Sequence, residues 1–173
     1  MSTITATAAI SNDISYTLIK LGSNQQSESA SLGYSRSLAS PTSGSPSGLQ
    51  INYGVLTSGS IASGNKVSFD LQSFPKQSFG ATQSITFTNI KAMVVENQGT
   101  LFGEDLTIGA TGTNSFTEPW NSSGGVTIKP YAVWQYADPI SGAVVDGSNK
   151  DFVVQNNTNS GILYTVIAVG VTG

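Results

Sequence analysis

A chain of 173 residues has room for one domain with a core and a short arm, and not for two full domains. Only 10% of its side chains are charged, seven Lys and Arg against ten Asp and Glu, so a nucleic-acid partner, which requires clustered cations, is disfavoured. His and Cys are both absent, which removes histidine and cysteine triads, the usual zinc sites, haem ligation and disulfides together.

The N-terminus, Met1 to Ile10, carries no cation and lacks the basic, apolar and small-residue order of an export signal. Residues 1–13 are small and weakly apolar and are expected to form an N-terminal arm or edge strand, with residues 14–173 as the domain proper. Within the arm, Ser2, Thr3, Ile4, Thr5, Ala6, Thr7, Ala8, Ala9 and Ile10 alternate in a way that suits β pairing, and no charge occurs before Asp13. They are the candidate for strand addition to a neighbouring protein.

From there the apolar residues recur with period two, the signature of half-buried strands. Ile14, Tyr16 and Leu18 open the series, followed by Ala30, Leu32 and Tyr34, then Leu49, Ile51, Tyr53 and Val55. Val67, Phe69 and Leu71 repeat it before a break at Phe74-Pro75. Ile85 and Phe87 start a longer strand whose phase slips near Asn89-Ile90, which predicts a bulge, before Met93-Val94-Val95. Val126 and Ile128, the run Tyr131 to Tyr136, and Phe152 to Val154 follow. The last run, Ile162 to Val169, is apolar on both faces and is expected to lie centrally, covered on both sides. It is far short of the roughly 20 apolar residues that cross a bilayer, so no membrane partner is expected.

Between the runs stand turn formers: Ser63-Gly64-Asn65, Asn97-Gln98-Gly99, Ser122 to Gly125, Asp146-Gly147 and Asn159 to Gly161. Short strands at this spacing with no helical period predict an all-β protein. The expected architecture is a single β-sandwich, jelly-roll-like, of about eight antiparallel strands, with an immunoglobulin-like sandwich as the alternative. Leu38 to Leu49, rich in Ser and Pro, reads as an exposed loop.

Chemistry-bearing constellations are sparse. Asp138, Asp146 and Asp151 offer oxygen ligands for a hard cation but no Gly-centred loop frames them, and turn chemistry accounts for them better. Glu104-Asp105 and Glu118 contain the two carboxylates that a glycosidase needs, without further support. Asn121-Ser-Ser and Asn156-Asn-Thr match the glycosylation pattern, a weak signal at this Asn and Ser content. Trp120, Trp134 and Tyr136 lie within seventeen residues and could stack sugar rings; the competing reading makes alternate residues of that strand core. No catalytic, cofactor or metal residue is assigned, and a non-enzymatic protein is expected. Low charge with abundant small hydroxyls, 44 positions being Ser or Thr, points to a surface that associates, because contact surfaces are depleted in Lys, Glu and Asp.

The ordered segments Ile14 to Leu18, Ile85 to Asn97, Leu106 to Gly109, Val126 to Pro130 and Ile162 to Gly170 together resemble small head-associated structural proteins of tailed bacteriophages. The likeness spans residues 85–170 well and the first half by pattern alone, and its motifs are structural. It implies a capsid decoration or cement protein of the virion, a β-sandwich that forms a homotrimer on the outside of an icosahedral head and bridges neighbouring major capsid proteins. It implies synthesis in the host cytoplasm and no cofactor. The Ser/Pro loop at 39–48, Trp120 and Trp134 depart from the family pattern. A carbohydrate-binding or adhesive module using Trp120, Trp134 and Tyr136 is the alternative from another class, and a minor tail or fibre-associated structural protein shares the fold.

Overall fold

Period-two patterning punctuated by Gly, Asn and Ser gives the chain no helical stripe to bury, and the computed structural model is all-β, with one short 3₁₀ turn at Glu118–Trp120. It describes residues 7–20, 26–39, 51, 53–78, 81–109, 112–120 and 125–173. Among these, β1 (Thr7–Lys20) and β2 (Gln26–Ala39) form a two-stranded hairpin. β3 (Tyr53–Ile61) and β4 (Lys66–Asp70) follow, then the hairpin of β5 (Phe74–Ser78) and β6 (Ala81–Ile85). The remaining strands are β7 (Phe87–Asn97), β8 (Leu106–Ile108), β9 (Val126–Ile128), β10 (Val133–Ala137), β11 (Ala143–Val144), β12 (Asp151–Asn156) and β13 (Ile162–Thr172).

Against the expectation of about eight strands, the described residues form thirteen, in four antiparallel sheets. One sheet runs β10-β7-β13-β3, with β11 also on β7; the other runs β4-β12-β8-β9. The chain behaves as one long hairpin doubled back on itself: β8 pairs β9, β7 pairs β10, β4 pairs β12 and β3 pairs β13. The two sheets share one core, in which Ile90, Met93, Val95 and Val166 from the first meet Leu106, Ile108, Phe152 and Val154 from the second. This shared core makes the arrangement a β-sandwich. Phe69 stacks on Phe74 with ring centroids 5.5 Å apart, which ties the β5–β6 hairpin to it.

β13 is central in its sheet, as expected, but it is not covered on both sides. Leu163 is 55% exposed and Ile167 37%, whereas Tyr164, Val166 and Ala168 are buried. An antiparallel sandwich sheet has one face on the core and one outside, so an apolar run on both faces here signals an apolar exterior.

The bulge expected near Asn89-Ile90 is present. Val169 pairs with Ala92 and Gly170 with Ile90, leaving Lys91 as the extra residue. Lys91 is buried, its backbone carbonyl accepts from the Asp138 N–H, and its Nζ donates to the Ile140 carbonyl. The bulge thereby anchors the 138–142 turn. Burial lowers the Lys91 pKa from its ordinary value, partly offset by the Asp138 charge.

At the N-terminus, the boundary expected between 13 and 14 falls inside the continuous strand β1. Thr7, Ala8, Ala9 and Ile10 pair within the chain, with Ala39, Leu38, Ser37 and Arg36. Ser2, Thr3, Ile4, Thr5 and Ala6 lie outside the described residues, as does most of the 38–49 loop.

Candidate interaction surface

The loop after β7 is built by two buried polar side chains. Asn97 donates through Nδ2 to the carbonyls of Glu104 (2.7 Å) and Ile128 (2.8 Å), and its Oδ1 accepts the Gly99 N–H. The Glu104 carboxylate accepts the N–H groups of Thr100 (2.7 Å) and Leu101 (2.9 Å) on Oε2 and the Ser160 hydroxyl on Oε1. Glu104 N–H in turn donates to the Leu101 carbonyl, closing a turn whose third residue, Gly103, has φ 88°. A positive φ at that position is the requirement of a type II turn, which glycine meets without strain. The product is a fixed tip that holds Leu101 and a fully exposed Phe102 in solvent.

Beside it, the turn from Lys129 to Ala132 is closed by the Ala132 N–H on the Lys129 carbonyl. Pro130 occupies its second position and Tyr131 its third, at φ 60° and 72% exposed. A bulky aromatic in the left-handed region costs about 1–2 kcal/mol, and here it leaves an aromatic ring on the surface. Tyr131 was expected to begin a strand; the strand starts two residues later, at Val133.

The outer face of the β10-β7-β13-β3 sheet continues this surface. In one cross-strand row Leu56, Ile167, Val94 and Gln135 stand side by side, and in the next Ser58, Thr165, Glu96 and Val133. The face carries a single charge in these rows, Glu96, which accepts from Gln98 Nε2. Near the β3 edge, Gly54, Leu56, Thr57, Pro75, Ile167 and Val169 line an uncharged cleft of about 540 Å³. The other sheet turns Lys66, Gln155, Thr107 and Thr127 along one row, so the two outer faces differ in polarity.

The aromatic trio meets in space. Trp120 packs edge-on against Trp134 with centroids 5.4 Å apart, and Trp134 stacks on Tyr136 at 6.5 Å and 11°. All three lean on the core as partly buried side chains at the β10 edge, and the rings spend much of their faces on one another. The Trp120 indole N–H is buried with no acceptor among the described residues. Burial, reinforced by the charges of Asp138 and Glu118, pushes the Tyr136 phenol up to about 12.

The carboxylates act as turn builders. Glu104 is held below its ordinary pKa, first by the Leu101 N–H, then by the Ser160 hydroxyl and the Thr100 N–H, the opposite of what a general acid needs. Asp105 pairs with Lys129 at 2.6 Å. Asp138 Oδ1 accepts from Ile140 and Ser141, and Asp146 Oδ1 from the Ser148 N–H and hydroxyl. Asn156, the described glycosylation candidate, is fully buried and donates to the Ile61 and Ser160 carbonyls.

Sequence reasoning missed Leu101, Phe102 and the organising roles of Asn97, Glu104 and Asn156. Its available signal was an apolar pair, Leu101-Phe102, standing between the turn formers Asn97 to Gly99 and Gly103, where polar residues are the norm. Comparison with known protein families and with characterised proteins finds no match to this chain.

Proposed function

We propose that the chain is a non-enzymatic virion structural protein, a decoration or cement protein that sits as a homotrimer on the outside of an icosahedral phage head and bridges major capsid proteins. The observation that carries this reading is the concentration of exposed apolar side chains on one outer face and one end of a sandwich poor in charge. Supporting it, the doubled-back strand order is compatible with a jelly roll, an architecture that recurs in viral capsid proteins. Cementing requires no catalytic group. A standard interface of about 1,600 Å², repeated by symmetry, adds up to resistance against internal pressure.

Co-sedimentation with DNA-free phage heads lacking this protein tests the reading, with saturable, stoichiometric binding expected and no pelleting above a no-head control overturning it. A chain lacking residues 2–10 is expected to bind more weakly while the sandwich stays folded; undiminished binding removes that segment from the contact.

A second reading, a carbohydrate-binding or adhesive module, draws on the meeting of Trp120, Trp134 and Tyr136 at one strand edge and requires that one of these partly buried rings keep a face open to a sugar. Titration with host glycans, followed by tryptophan fluorescence, separates the two. Saturable quenching lost in Trp134→Ala supports the sugar reading, and a flat titration removes it.

A further inference from the structure

We propose that two copies of this chain join head to tail, the Leu101-Phe102 tip of one seating in the Leu56-Ile167 cleft of the next. The inference rests on the self-association in the reading above and is independent of the capsid as partner.

The tip is a preformed knob. Its backbone is closed by the Glu104 carboxylate and by Asn97, so presenting Phe102 costs little further ordering on binding. The cleft is an open depression of about 540 Å³, room enough for two apolar side chains. Neither the Leu101-Phe102 pair nor the cleft lining includes a charged side chain, and the Glu104 carboxylate behind the tip is engaged by Thr100, Leu101 and Ser160.

The tip cannot fill the cleft of its own chain. It follows the end of β7, beside Leu163, whereas the cleft lies along Ile167 and Val169 at the other end of the sheet, roughly 13–20 Å away at about 3.3 Å per residue. A knob and a hole at separate places on one molecule define a heterologous contact, which closes into a ring or grows as a chain of subunits.

Both sides of the contact expose apolar surface for a second copy to cover: Leu101 is 63% exposed and Phe102 fully so at the tip, and Leu56 is 67% and Ile167 37% exposed at the cleft.

The test uses the full-length chain at about 100 µM, sized by light scattering behind a sizing column. The wild type is expected above the 17.9 kDa of one chain. Phe102→Ser, which removes a fully exposed ring, and Leu56→Lys, which charges the cleft, are each expected to elute as single chains with wild-type circular dichroism. Mixed together, they are expected to form a pair, because one retains an intact cleft and the other an intact tip. Three results overturn the proposal: a wild type that stays a single chain, variants that keep the wild-type mass, or a mixture that stays at one chain mass. A failure of head binding with this mixing pattern intact removes the capsid partner and leaves the contact standing.

Discussion

Gly170 sits opposite the extra residue of β7, and a Cβ built there would lie 2.1 Å from the Asn89 carbonyl oxygen, a backbone atom with no room to give. Gly170→Ala is therefore expected to cost about 1–3 kcal/mol through overpacking, seen as a lower urea midpoint at unchanged slope. Tyr131 is the converse case, a side chain kept in a backbone conformation that disfavours it. Tyr131→Gly relieves the left-handed penalty and gives back part of the gain as chain entropy, so unfolding is expected to shift by about 0.5–1 kcal/mol towards greater stability. A loss of stability in the same urea titration would contradict this account. Both positions were visible in the sequence only as residues near a strand end. The atoms that constrain Gly170 come from a strand far away in the chain, and periodicity carries no φ value for Tyr131.

At the scale of the element, the 97–104 loop depends on an ionised carboxylate. Because the Glu104 pKa is lowered by folding, its stabilisation is fully present above the ordinary value of 4.5 and is lost as pH falls through the lower folded value. Amide resonances of Thr100 and Leu101 are expected to shift together in that acidic range, and Glu104→Gln to abolish the transition. A transition that persists in Glu104→Gln places the acid sensitivity elsewhere, with Asp70 beside Lys150 as the next group to test. The strands themselves were largely legible: β4, β7, β9, β12 and β13 lie where period two and turn formers put them, and the bulge in β7 was readable as a phase slip. β11 has only two residues and β6 ends one residue before β7 begins, so neither presents enough alternation to read.

For the whole molecule, two tyrosines shifted by burial are expected to contribute to a loss of stability at alkaline pH. Tyr136 is raised to about 12 against 10.0 in the unfolded chain, and Tyr164 is raised by burial as well. The unfolded chain loses these protons at a lower pH than the folded one, so the stability they contribute is fully present below about pH 10 and is lost as pH rises towards 12. Tyr136→Phe is expected to flatten that decline in part, measured as the denaturation midpoint against pH. A decline of unchanged steepness would show that Tyr136 is not among the groups responsible.

The all-β class, the positions of β4, β7, β9, β12 and β13 and the absence of His and Cys followed from the amino-acid sequence by itself, because alternation, turn formers and missing residue types are local properties. Which faces are buried was decided by tertiary structure. Ile162 to Val169 reads as apolar on both sides, yet pairing with β3 and β7 put Val166 inside and left Ile167 outside. The same pairing set a cleft at one end of the sheet and a glutamate-latched phenylalanine at the other. The cleft is not a local property, since only the folded sandwich brings its residues together; the tip is latched locally by Glu104 on Thr100 and Leu101, and the sandwich adds the bonds from Asn97 to Ile128 and from Ser160 to Glu104.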